Sequence, residues 1–254
     1  MGMRSWSAVL ASLLWAATVR ADGVVRVAAA ADLELAFKAI VAAYAAPRAD
    51  TIRVTFGSSG QFFTQLMAGA PFDIFMAADE ALIERLNAAG LTRDAGHRYA
   101  AGRLVLYALR DAPFTPDAEL ADLKRALARG ALGKIAIANP EHAPYGRAAR
   151  EVLAAVGLWD ALQGRLVFGE NVAQAAQFAT SGAASGGLFA LSLTAAPVVT
   201  QNGRFVLVPD TLHSPLHQRM VLMRSASPQA AAFYTYLRGA DAAGMLREYG
   251  FGVP

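Results

Sequence analysis

The chain has 254 residues, 55% of them hydrophobic and 17% charged, with no cysteine. That composition excludes a disordered chain, a disulfide scaffold and a cysteine-built metal site, and the length allows one large domain or two lobes of about 100–150 residues each. The net charge of +3 is no sign of a nucleic-acid partner, because no Lys/Arg cluster gathers on one expected face.

Residues 1–21, MGMRSWSAVLASLLWAATVRA, place Arg4 ahead of an uncharged run from Ser5 to Val19 and end on the small-residue site Val19-Arg20-Ala21. The pattern predicts a secretory signal cut before Asp22; as a membrane anchor the run falls short of the roughly 20 residues that span a bilayer. Removing Arg4 and Arg20 from the 23 basic residues leaves 21 against 20 acidic, a net +1. Export thus accounts for the basic balance. No later uncharged run reaches spanning length, so the mature protein is expected to be periplasmic, soluble and monomeric.

From residue 22 onward, short β-rich runs alternate with helical patterns, which predicts parallel sheet covered by helices, an α/β fold. VVRVAAAA leads into a helix near Leu33 to Ala45, TIRVTF into Gln61 to Met67, and DIFMAA into Glu80 to Ala89. RLVLYALRD at 103–111 is a strand followed by a Pro-containing segment, and a crossover is placed there. KIAIAN leads into Gly146 to Val156 and RLVFGE into a helix starting near Val172, while 213–225 reads as an extended return before two closing helices. Two crossovers divide the chain into lobe I, 22–103 plus 213–254, and lobe II, 104–212, with a ligand cleft between them.

Four strand-to-helix junctions carry small or polar residues: AAAADLELAF, GSSG at 57–60, NPEHAPYGRAAR and GENVAQAAQ. Helix N-termini at the carboxyl ends of strands favour an anion. GSSG alone is open to two readings, an anion-binding nest or a plain N-cap by Ser58 or Ser59. Except for Arg147 and Arg150 just inside a helix, no junction offers a basic side chain. Neutral donors suffice, since hydrogen bonds to a charged group contribute about 1.5–3 kcal/mol each.

GSSG, AGAPFDIFMAADE, IANPEHAPYG, GENVAQAA and YLRGADAAGMLREYGF together resemble the periplasmic molybdate- and tungstate-binding proteins of ABC importers, from about residue 24 to the end. The resemblance implies a type II periplasmic-binding-protein fold, a molybdate or tungstate ligand, no cofactor, no enzymatic activity, and an ABC permease with its ATPase as partners. It implies an oxyanion site at Ala31, Asp32, Ser58, Ser59, Tyr145 and Val172, with no protein side chain on the metal itself. A further family position, often a tyrosine hydroxyl, falls on Ala190, and Tyr145 in the APYG turn is the expected substitute.

Asp32 departs from that pattern, because a carboxylate aimed at a dianion is repelled in a desolvated cleft. Three arrangements relieve the conflict: an outward N-cap whose backbone N–H still donates, a protonated carboxyl, or a carboxylate accepting a proton carried by the ligand. The outward cap is the expected one; the last would favour phosphate or arsenate. His142 is expected as a surface turn residue, Asp79 and Glu80 as structural helix-start acids, and Phe62, Phe63, Met67 and Phe75 as core. A serine hydrolase lacks its G-x-S-x-G elbow, and a regulator's effector domain lacks a DNA-binding helix pair.

Overall fold

The computed structural model describes residues 23–45 and 51–254, so the predicted signal at 1–21 lies outside the described residues. The elements run in order β1 (Val24–Ala30), α1 (Glu34–Ala45), β2 (Thr51–Gly57), α2 (Ser59–Met67), β3 (Ile74–Ala77), α3 (Glu80–Ala88), β4 (His97–Gly102) and β5 (Leu104–Leu109). They continue with α4 (Ala121–Ala128), β6 (Ile135–Ala138), α5 (Pro144–Ala155), α6 (Trp159–Leu162), β7 (Leu166–Gly169), α7 (Val172–Thr180) and β8 (Gly186–Ala190). Last come α8 (Pro197–Asn202), β9 (Gly203–Leu207), β10 (Leu216–Leu222), α9 (Pro228–Leu237) and α10 (Ala240–Glu248). Among the described residues no helix is long and apolar enough to cross a membrane.

Two five-stranded sheets form, in the orders β2-β1-β3-β10-β4 and β7-β6-β8-β5-β9. Each is mixed: β1 runs parallel to β2 and β3, and β6 parallel to β7 and β8, while β10 and β5 enter antiparallel. The architecture is two-lobed α/β, the type II periplasmic-binding fold. The chain passes from the first sheet to the second between Gly102 and Leu104 and returns between Leu207 and Leu216.

Side chains alternate across a strand, so the first sheet is apolar on both faces. Val25, Val27, Ala29, Ile74, Met76 and Met220 face α1, α9 and α10, where Phe37, Tyr44 and Phe233 form an aromatic cluster with Phe37 and Phe233 centroids 6.0 Å apart. Ala28, Phe75, Ala77 and Val221 face α2 and α3, meeting Phe62, Phe63, Ile83 and Leu86. Phe62, Phe63 and Phe75 are core, as expected, but Met67 is 49% exposed. It sits in the last turn of α2, past the stripe Phe62-Phe63-Leu66 that faces the sheet.

Candidate functional site

Each of the four polar junctions follows a parallel strand, so all four stand at strand carboxyl ends. β1 runs into a 3-10 turn at Ala31–Leu33, β2 into α2, β6 into α5 and β7 into α7. They meet at one cavity, whose lining includes Ala31, Asp32, Ser58, Ser59, Tyr145 and Val172. The structure thus brings all six sequence-predicted residues together, Ala31, Asp32, Ser58 and Ser59 from the first lobe's loops and Tyr145 and Val172 from the second's. The cavity has about 10 Å³ open to the centre of a water-sized sphere, the room of about one water molecule. Any solute larger than a small ion requires the lobes to part.

The first N–H groups of a helix have no partner within it, and here the caps leave them over. Asn171 caps α7 by accepting from Ala173 and Gln174 at 3.0 and 3.1 Å, which passes over Val172. Pro144 at the first position of α5 has no N–H to give, and Tyr145 follows it. Ser58 occupies the N-cap position of α2, but its hydroxyl makes no cap bond. It donates across the cleft to the carbonyl of His142 at 2.6 Å. Ser59 Oγ accepts from the Ala78 N–H at 3.0 Å, leaving its own proton to give. The N-cap reading of this loop therefore fails for both side chains.

Asp32 is not an outward cap. Its carboxyl is fully buried and turned into the molecule, where Oδ2 accepts from the Tyr145 hydroxyl at 2.9 Å and from Gln218 Nε2. Ser192 donates to its backbone carbonyl at 2.7 Å. The 3-10 turn explains the difference: Ala30 holds the cap position and Asp32 is the second residue of the turn, where its carboxyl reaches Gln218 on β10 and Tyr145 on α5. Burial raises the Asp32 carboxyl from 3.8 to about 6, opposed by the bonds from Gln218 and Tyr145 and by the backbone amides of Asp32 and Leu33. The Tyr145 phenol is pushed well above 10 by burial and by Asp32, so it stays a donor. Its hydroxyl is thereby committed to Asp32, while Ala190, the position of the missing donor, is a buried strand end.

Around the opening, polar groups of the two lobes pair directly. Arg147 donates to Asp79 Oδ2 at 2.7 Å and Gln61 to Glu170 Oε2 at 2.8 Å. The His142 carbonyl takes both the Ser58 hydroxyl and the Gly60 N–H, the latter at 3.0 Å. His142 Nδ1 lies 3.0 Å from Ser58 Oγ; with the serine proton already given away, the ring nitrogen is the donor. His142 is thus part of an interlobe clasp and not a free surface residue, while Asp79 caps α3 through Ala81 at 3.0 Å, as expected for a helix-start acid.

Sequence reasoning missed Gln218 and Tyr99, which wire Asp32 from behind. A signal exists: Leu216, Gln218 and Met220 alternate inward along β10, so Gln218 is a polar residue at a core position. A larger open groove of about 750 Å³ among Leu66, Phe72, Leu91 and Met223 shares no lining residue with the four junctions. Among the described residues no group of His, Cys, Asp and Glu is arranged to hold a metal ion.

Two α/β lobes meeting over a closed anion-type cavity define a solute-binding protein. Residues 25–252 match the model of the bacterial extracellular solute-binding protein family, and the chain belongs to it. It is 37% identical over 233 residues to the molybdate-binding protein ModA of Azotobacter vinelandii, covering 90% of each chain. To the ModA of Rhodobacter capsulatus it is 33% identical over 252 residues, covering 98% of this chain and 96% of the relative. A solved structure of the Azotobacter vinelandii periplasmic molybdate-binding protein superposes with a TM-score of 0.81 at 28% identity, covering 91% of this chain and 99% of that one.

Proposed function

We propose that the protein captures molybdate or tungstate in the periplasm as a soluble monomer and hands it to an ABC permease with its ATPase. The observation that carries this reading is the convergence of four strand-to-helix junctions, two from each lobe, on one small cavity without a basic side chain. The ion is held by the amides of Ala31, Asp32, Ser59, Tyr145 and Val172 and by the Ser59 hydroxyl, while Ser58 ties the lobes together. Five or six bonds to a charged group at about 1.5–3 kcal/mol each, less ordering and desolvation, reach the roughly 8 kcal/mol of micromolar binding. Donors fixed around a tetrahedral oxyanion of one size reject a smaller one such as sulfate by leaving some unfilled. The residues before β5 and after Leu212 act as lobe I, and those between as lobe II. The relatives' names are those of binding proteins, and no catalytic step is assigned.

A second reading, a carrier of hydrogen phosphate or arsenate, is favoured by the carboxyl of Asp32 at the cavity wall. Calorimetric titration with molybdate, tungstate, sulfate and phosphate separates the two: tight molybdate and tungstate binding is expected, and phosphate binding tighter than molybdate would sink the first reading. Ser59→Ala is expected to weaken molybdate binding by about 1–3 kcal/mol and also to lower the melting temperature of the ion-free protein, because the buried Ala78 N–H loses its acceptor.

A further inference from the structure

Asp32 and Tyr145 are the ionisable side chains that line the cavity, and the hydrogen-bond wiring of Asp32 is lopsided. Oδ2 accepts from both Tyr145 and Gln218, whereas Oδ1, equally buried, has no partner. The direction of each bond is set. Gln218 Oε1 accepts from the Tyr99 hydroxyl at 2.7 Å, which turns Nε2 toward Asp32. Burial holds the Tyr99 and Tyr145 phenols well above 10, so both remain O–H.

No charge compensates an ionised Asp32. The groups facing it are Tyr99 from β4, Gln218 from β10, Tyr145 from α5, Ser192 from the turn after β8, and Ser58 and Ser59 from the α2 loop. The helix α7 that packs against its turn has no charged residue, and the nearest charges on α1, Glu34 and Lys38, pair with each other at 2.8 Å. Among the described residues no cation lies within ion-pair distance of it. A carboxylate here leaves buried Oδ1 without a hydrogen-bond partner next to an anion site, with the backbone amides of Asp32 and Leu33 as the remaining groups that favour its charge, a costly arrangement for a buried polar atom. A neutral carboxyl resolves it in one way only: Oδ2, already the acceptor of two bonds, is the carbonyl oxygen, and the proton sits on Oδ1 as a donor.

We propose that Asp32 binds the oxyanion as the neutral acid, its Oδ1–H donating to an oxyanion oxygen, so that each ion captured takes up one proton from solvent. The inference rests on the oxyanion-binding reading above and adds to it a proton linkage and a specificity element. With the free carboxyl titrating at about 6 and pushed higher by a bound dianion, the free protein is mostly ionised at pH 7–8 and the complex is protonated.

Titrating molybdate into the wild type in buffers of different ionisation heat, at about pH 7 and about pH 8, counts the protons. The expected result is close to one proton taken up per ion and a Kd that rises almost tenfold across that unit. In Asp32→Asn the side-chain amide stands in for the neutral acid: its carbonyl accepts from Tyr145 and Gln218 and its N–H replaces the Oδ1 proton. That variant is expected to show no linked proton, a flat Kd, and binding more than about tenfold tighter than wild type near pH 8. Molybdate binding by the wild type with no proton uptake and a flat Kd overturns the proposal and leaves the function reading standing. Absence of molybdate binding at both pH values overturns that reading, and the proposal falls with it. The proton count is made on the wild type, so the test holds even where the variant folds poorly.

Discussion

The floor of the cleft and its rim are built from different chemistry. The floor holds Asp32, Tyr145, Gln218, Tyr99 and Ser59, all fully or almost fully buried, and its donors are neutral hydroxyls and amides. The rim holds Arg147, Asp79, Gln61, Glu170 and His142, where charges pair across the cleft in partial contact with water. In a dry floor a bond to a charged group keeps its strength, whereas at the rim water and salt weaken it. On the proposed reading, ion affinity resides in the floor, and the rim sets how readily the lobes close.

Gly60 stands where the two regions meet, and breaking the comparison there has the largest expected effect. A Cβ at Gly60 would lie 2.3 Å from the His142 carbonyl oxygen, in the opposite lobe. Because that oxygen belongs to backbone and has no rotamer to escape by, Gly60→Ala is expected to weaken molybdate binding by about 3 kcal/mol, the upper end of overpacking costs. The helix itself gains slightly from alanine, so any fall in melting temperature comes from the interlobe contact alone. Gly146 is the contrast: its Cβ would meet the Ala138 carbonyl at 2.3 Å within one lobe, so Gly146→Ala lowers the melting temperature directly. Unchanged affinity in Gly60→Ala would mean that binding does not draw the lobes into this arrangement.

The next effect sharpens the floor. A carboxyl whose pKa rises from 3.8 to about 6 in the folded protein favours the folded, closed state when protonated. Its contribution is complete below about pH 4 and is lost as pH rises through about 6, a difference of about 2–3 kcal/mol. The ion-free wild type is thus expected to lose melting temperature from about pH 4 to pH 8 relative to Asp32→Asn, which has no proton to release. Parallel melting curves for the two proteins would place the Asp32 carboxyl in water.

Much of the fold was legible because each β-rich run ends in small residues just ahead of a helical pattern, as in TIRVTFGSSG and KIAIANPEHAPYG. The six site positions line one cavity. Strands β4, β8 and β9 were missed: HRYAAG, GGLFA and GRFVL carry weak alternation and glycines, and their pairing partners lie far off in sequence. Asp32 was misjudged for the same reason. Seen locally, an Asp before a helix is a cap, and only the tertiary approach of Gln218 and Tyr145 draws the carboxyl inward. His142 joins the clasp through Ser58, which is 84 residues away, and nothing in the turn sequence specifies that neighbour.

The smallest expected effect tests the rim. Arg147 and Asp79 approach to 2.7 Å, with side chains 44% and 15% exposed, and a half-exposed pair of this kind contributes at most about 1 kcal/mol. Asp79 also caps α3, so replacing it would mix closure with helix stability; Arg147 is the cleaner site. Its remaining partner is Glu151 at 3.8 Å on its own helix. Arg147→Gln is therefore expected to weaken molybdate binding by about 0.2–1 kcal/mol at low salt, and the difference should shrink toward zero at about 0.5 M salt as screening removes the pair from the wild type as well. Titration of both proteins at the two ionic strengths measures it. A loss well above 1 kcal/mol that persists in high salt would mean the rim pair acts in a dry environment, and the division between floor and rim would then have to be withdrawn.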